Sequence, residues 1–321
     1  MSRIYEAMKK AGVEVGAQTN ELEPAPKVQD VTVTGSIPPA ATSGAANAGP
    51  LTFDDLQSRC AHPVWNPDVN LNVFSNPALA FGAEQFRTLR SRLYQIRDNQ
   101  ALRIILVTSS MAGEGKTFVA SNLAQAIVRQ PNCRALLIDA DLRCSRLHLM
   151  LGTPTAPGLS DYLQGSADEC AIVQSEQENN LYFIPGGNGV TNPSELLANG
   201  RLKGLFNRIA PAFDWVIVDS PPCLALADAS VLAEFCDGVI LVARAGSTPG
   251  EAAHRACKEL QARKTVLGVV LNAVKEGSGP YDVSEKRRQA DRAKQRPIRN
   301  PGNGATEPRF FGIVRRKNKD G

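Results

Sequence analysis

The chain has 321 residues, 43% of them hydrophobic and 21% charged, which is enough for one sizeable α/β domain with appendages. The formal net charge is a mild +4, and it is uneven: from Lys275 onward there are 13 Lys/Arg against 6 Asp/Glu. No apolar run approaches the ~18 residues of a membrane span and no signal peptide opens the chain, so a cytoplasmic protein is expected.

Residues 2–11 place Ile4, Ala7, Met8 and Ala11 on one helical stripe behind Ser2, so residues 1–16 are assigned a short N-terminal helix. Residues 17–50, rich in Pro, Ala, Gly, Thr and Ser, read as a flexible linker. Residues 51–79 carry scattered apolar residues and Asn-Pro pairs, the pattern of an extended, turn-rich arm. From Pro77 to Arg97 the pattern turns helical, with Phe81, Phe86, Leu89, Leu93 and Ile96 able to share a face. Glu84, Arg87 and Arg90 line one flank of that helix, a spacing that a solvated charged face also gives.

The main domain is expected over 80–274. Strands are predicted at 103–108, 134–139, 181–184, 214–219, 238–243 and 266–271. Helices are predicted at 116–129, 159–164, 168–175, 194–210, 227–235 and 250–262, with Asn192 or Ser194 as a cap for the 194–210 helix. Alternating strands and helices predict a mostly parallel central sheet covered by helices on both faces. The strands are nearly continuous apolar runs, as burial on both faces requires. Beyond Lys275 the chain reads as a basic, largely disordered tail with one short apolar patch, Phe310–Val314. It lacks interleaved aromatics, which argues against nucleic acid as its partner.

The chemistry concentrates at three strand ends. The run 103–108 stops at a small-residue turn, Ser109-Ser110-Met111-Ala112-Gly113-Glu114-Gly115-Lys116-Thr117, which opens a helix. Strand, glycine loop and helix form the context of a phosphate-binding P-loop. Gly113 and Gly115 let backbone N–H groups curl round an anion, and the helix N-terminus adds positive charge. Lys116 is placed to reach the β- and γ-phosphates, and the Thr117 hydroxyl to ligate Mg²⁺. The nucleotide-binding run is taken as Ala112–Phe118. Ser110 stands where the full pattern has glycine. Asp139 and Asp141 follow the second strand and Asp219 the fourth. In open parallel sheets the carboxyl ends of strands share one rim, so all three acids should meet Lys116. Asp219 is placed to hold Mg²⁺ through water, alongside Thr117 directly. Asp139 or Asp141 is placed either to accept a proton or to complete the magnesium shell. Asn272, closing the last strand on that rim, is a candidate for an adenine edge. Seven scattered cysteines and three isolated histidines make reduced thiols, and no zinc, the expectation.

Residues 80 to 275 resemble the catalytic domain of the bacterial tyrosine kinases (BY-kinases) of capsule and exopolysaccharide assembly. The matching pieces are Ser109–Thr117 (Walker A), Leu136–Arg143 (Walker A′), Val216–Pro222 (Walker B), 192–197 and Gly268–Asn272. The resemblance implies a P-loop fold related to cell-division and partition ATPases. It implies ATP and Mg²⁺ as cofactors and tyrosine phosphorylation as the activity. Lys116, Asp139, Asp141 and Asp219 would be the catalytic set, with Thr117, Asp219 and Asp139 round the metal. Glu84, Arg87 and Arg90 match the family's self-association motif, which implies a ring-like homo-oligomer. A membrane protein of the chain-length-determinant type is the implied activator, recruiting the chain to the inner face of the membrane. Relatives end in a tyrosine cluster, whereas this tail has Tyr281 alone. Phosphorylation of other proteins, or a nucleotide-switch ATPase without kinase activity, are the corresponding alternatives.

Overall fold

The computed structural model describes residues 49–176 and 180–274. The helix and linker expected before residue 49, the basic tail and Tyr281 lie outside the described residues.

Seven strands form one sheet. In chain order they are β1 (Ile104–Ser109), β2 (Ala135–Asp139), β3 (Gln174–Ser175), β4 (Leu181–Ile184), β5 (Trp215–Asp219), β6 (Gly238–Arg244) and β7 (Val266–Asn272). Their order across the sheet is β3-β4-β2-β5-β1-β6-β7. All neighbours are parallel except β3, which runs antiparallel to β4.

The helices are α1 (Phe53–Arg59), α2 (Ala80–Arg97), α3 (Lys116–Val128), α4 (Leu147–Leu151), α5 (Leu159–Gln164), α6 (Pro193–Ala198), α7 (Arg201–Ile209), α8 (Asp228–Phe235) and α9 (Gly250–Gln261). Side chains alternate across the sheet. Leu106, Leu136, Ile138, Val216 and Val218 join the core under α5 to α9, and Ile105, Val107, Leu137, Trp215 and Ile217 the core under α2, α3 and α4. The doubly covered parallel sheet is the architecture predicted.

Four local expectations are corrected. Residues 51–79 contain a helix, α1, which is opened by a reciprocal capping box: the Asp55 N–H donates to Thr52 Oγ1 (3.2 Å) and the Thr52 N–H to the Asp55 carboxylate (3.3 Å). The segment is fastened to the sheet layer rather than free of it, since buried Asn122 on α3 accepts from Val73 N–H and donates to the Leu71 carbonyl, both at 2.9 Å. Residues 168–175 are not helical. The Asp168 side chain accepts from the N–H groups of Cys170 (2.9 Å) and Ala171 (2.8 Å), a local turn that outcompetes the helix, and the chain then enters β3. The predicted 194–210 helix is two, α6 and α7, broken at Gly200 with φ +80°. Asn192 does occupy the N-cap position of α6, but its side chain makes no capping hydrogen bond there. Ser194 instead donates to the Asp228 carboxylate across the α6–α8 boundary.

Candidate active site

The sheet order places β2, β5 and β1 side by side, so their carboxyl ends open onto one another. Asp139 and Asp219 are register partners across β2 and β5, and Val107 of β1 is the partner of Asp219 on the other side. Lys116, the first residue of α3, reaches into this group and donates to Asp141 Oδ2 at 2.8 Å. Burial opposes the lysine's charge, but Asp219 and Asp141 outweigh it and hold the ammonium above its ordinary value.

Each acid has a distinct setting. Asp139 is fully buried, and its Oδ2 accepts from the Ser145 hydroxyl (2.7 Å) and from the N–H groups of Arg146 and Leu147 (both 3.1 Å). Its Oδ1 accepts from Asp141 N–H at 3.2 Å. Burial nonetheless pushes its carboxyl up to about 6. Through these bonds the Asp139 carboxylate folds the turn that carries Asp141. Asp219 is also buried, and its Oδ1 has no hydrogen-bond partner. Desolvation raises its carboxyl to about 8, against the pull of Lys116 and a hydrogen bond from Thr117. Three acids thus face one ammonium.

That arrangement tests the site for Mg²⁺. A buried carboxylate oxygen without a partner, next to the Thr117 hydroxyl and in surplus negative charge, is a hard-oxygen site short of a cation, so Thr117 and Asp219 fit the ion. Among the described residues no group of three His, Cys, Asp or Glu side chains is spaced to hold a metal alone. Mg²⁺ does not need one, because it keeps waters and shares phosphate oxygens.

The phosphate loop is held by its own glutamate. Gly113 and Gly115 take φ +82° and +95°, the left-handed region that favours glycine. The buried Glu114 carboxylate accepts from the Ser110 hydroxyl (3.1 Å) and the Met111 N–H (2.8 Å), and also from the Thr248 hydroxyl in the turn before α9. Ser110 therefore replaces the usual glycine with a donor that this carboxylate uses. Arg244 Nη1 donates to the Gly113 carbonyl at 3.1 Å.

The remaining predicted residues separate. Asn272 lies against the loop, and its side-chain amide donates to the Glu114 carbonyl at 3.0 Å. This contact ties the end of β7 to the loop. Ala112 is exposed at the loop mouth, whereas the Phe118 ring packs on Phe86 of α2, 6.0 Å between centroids, leaving its backbone to face the loop. On α2, Glu84 and Arg87 pair with each other on an exposed flank. Arg90 is turned inward and donates to the Ala126 carbonyl of α3 at 2.6 Å. Of the trio, then, only Glu84 and Arg87 face outward.

Sequence reasoning missed the Glu114–Thr248 bond and a second tie: Arg143 donates from Nε to Asp228 (2.9 Å) and from Nη2 to Ser194 (2.9 Å). Arg143 stands two residues after Asp141, so this bridge to α6 and α8 anchors the acidic turn from its far side. Only the position of Arg143 inside the quoted Leu136–Arg143 run signalled it.

Residues 102–265 match a family model described as an AAA domain. The tyrosine-protein kinase YwqD of Bacillus subtilis (strain 168) is 34% identical over 197 residues, covering 61% of this chain and 83% of YwqD. EpsB of Ralstonia solanacearum is 39% identical over 205 residues, but the match covers 63% of this chain and 27% of that longer protein. The solved kinase domain of the Escherichia coli tyrosine kinase ETK superposes with a TM-score of 0.61 at 31% identity, covering 73% of this chain and 91% of that one.

Proposed function

Since the chain belongs to the bacterial tyrosine kinase family, whose members fold as P-loop domains, we propose that it transfers the γ-phosphoryl group of ATP to tyrosine hydroxyls of proteins. The observation that carries the proposal is the contact of Lys116 with Asp141 beside a buried, unpartnered Asp219 oxygen. A lysine at a helix N-terminus, an acid in its reach and an acid short of a cation are the parts that phosphoryl transfer needs.

The chain's residues divide the work. Backbone N–H groups from Gly113 to Thr117 and the N-terminus of α3 cradle the phosphates. Lys116 leaves Asp141 for the β- and γ-oxygens and neutralises charge as it develops. Thr117 and Asp219 would hold Mg²⁺, which would offset the charge on the phosphates when bound. The phenolic oxygen attacks the γ-phosphorus in line, the bond to the β–γ bridging oxygen breaks, and ADP leaves with that electron pair. Asp141, freed from Lys116, is the carboxylate in reach of the phenolic proton. Asp139 positions Asp141 through its turn.

The role we propose is regulation of exopolysaccharide or capsule polymerisation and export, with a membrane chain-length-determinant-type protein as activator. Among the described residues no helix is long and apolar enough to cross a membrane. Self-association into a ring is proposed through the outward Glu84 and Arg87.

Incubating the protein with labelled ATP, with and without the activator's cytoplasmic segment, tests the reading. Label on tyrosine is the expected result. Phosphate release with unlabelled tyrosine would instead make the chain a nucleotide-switch ATPase, which its single tail tyrosine also permits.

A further inference from the structure

A cleft of about 540 Å³ opens beside the phosphate loop. One wall is the first half of the loop, Ser110–Ala112; another is Leu224 and Ala225, which follow the Walker B turn; the third is the start of α9, with Pro249, Glu251, Ala252 and Arg255. Its floor is apolar, with Met111 and Leu224 contributed by two loops of the active site. Its rim is charged. Glu251 and Arg255 stand one helical turn apart, both exposed, and neither forms an ion pair among the described residues.

We infer that this cleft is the acceptor site, and that it takes a polypeptide segment presenting a tyrosine with an acidic residue close to it. The inference rests on the kinase reading and adds to it which surface reads the substrate. Lys116 and the helix end occupy the α3 side of the loop, so the acceptor must come from elsewhere. The cleft shares Ala112 with the nucleotide-binding run and reaches it past Ser110 and Met111. A phenol ring is an apolar body with a polar tip, and the cleft supplies an apolar floor that ends at a phosphate-binding loop. Arg255 is an unspent guanidinium on the rim, suited to a carboxylate on the entering segment. Glu251, beside it, disfavours a second acid on the same side, which makes the rim selective rather than merely cationic.

The cleft also connects mechanically with the chemistry. Thr248, just before α9, bonds to Glu114 of the phosphate loop, so the wall that would hold the acceptor and the loop that would hold the donor share a hydrogen bond. The bond sets the spacing between them.

The test uses the full chain and two synthetic peptides, each with one tyrosine. One has Asp after the tyrosine and the other Lys. Ala252→Trp fills the cleft from α9, and Arg255→Glu reverses the rim charge. The parent should prefer the Asp peptide. Ala252→Trp should lower kcat/KM for that peptide by about ten-fold or more, with peptide-free ATP hydrolysis kept as the check on folding and nucleotide binding. Arg255→Glu should move the preference towards the Lys peptide, again by about ten-fold, a reversal that structural damage would not produce. If both variants phosphorylate the two peptides in the parent's ratio and at the parent's rate, the cleft is not the acceptor site. Failure of the kinase reading would show in the parent, as ATP hydrolysis without labelled peptide. Failure of this inference alone would show only in the variants.

Discussion

Lys116 Nζ lies 2.8 Å from Asp141 Oδ2, so the amine at the start of α3 is held by an acid that follows β2. The pair keeps a buried cation satisfied and keeps the side chain extended into the site. In the proposed reaction, nucleotide displaces Asp141 from Lys116 and leaves its carboxylate to receive the phenolic proton.

Lys116→Met removes the one cation facing three acids. Tyrosine phosphorylation and ATP hydrolysis should each fall by about 10²–10³-fold, the usual cost of losing a preorganised charge at a transferring group. Radiolabel transfer and phosphate release measure the two separately. Retention of both at the parent's rate would remove this pocket from the chemistry.

Gly115→Ala should harm the loop in two ways. A Cβ there would lie 2.0 Å from Asn272 Nδ2, and φ is +95°. A non-glycine residue held in that region costs about 1–3 kcal/mol, so thermal unfolding should come earlier and nucleotide affinity should drop. Asn272→Ala in the same chain removes the clash but not the dihedral cost, so it should restore only part of the loss.

Ser110→Gly restores the commoner loop pattern, yet it should destabilise this protein. The Glu114 carboxylate loses one of its three donors, and removing a hydrogen bond to a buried charge costs about 1.5–3 kcal/mol. Chemical denaturation measures it. Ser110→Ala should behave alike, which separates the lost hydroxyl from any added backbone freedom.

The buried acids give the protein a characteristic response to pH. Asp219 has its carboxyl raised to about 8 and Asp139 to about 6, from 3.8 in the unfolded chain. Each holds its proton more tightly when folded, so each contributes stability that is complete at low pH and lost as pH rises through its folded value. Between about 6 and 8 the falling limb belongs to Asp219. Asp219→Asn should flatten that limb in denaturation curves while abolishing magnesium-dependent activity. An unchanged limb would mean that Asp219 is ionised already.

The sheet and the shared rim were legible in the sequence because buried parallel strands are long apolar runs, and the acids stand directly at their ends. What escaped was decided by side chains talking to nearby backbone. Asp168 made a turn where helix periodicity continued, Thr52 and Asp55 capped a helix with a single buried residue, and Gly200 divided an apolar stripe that ran through it. In the site, residue types announced Lys116 and the three acids. The ties that brace the site, Thr248 to Glu114 and Arg143 to Asp228, each join elements remote in the chain, and no local spacing encodes those contacts.

The bond from Thr248 to Glu114 also has a thermodynamic meaning. It joins the donor's loop to the helix bearing Glu251 and Arg255. Whatever preference a bound nucleotide imposes on the acceptor's affinity, the acceptor must return in equal measure to the nucleotide. Thr248→Val would cut that link while leaving both pockets their linings, and the two ligands should then bind as strangers.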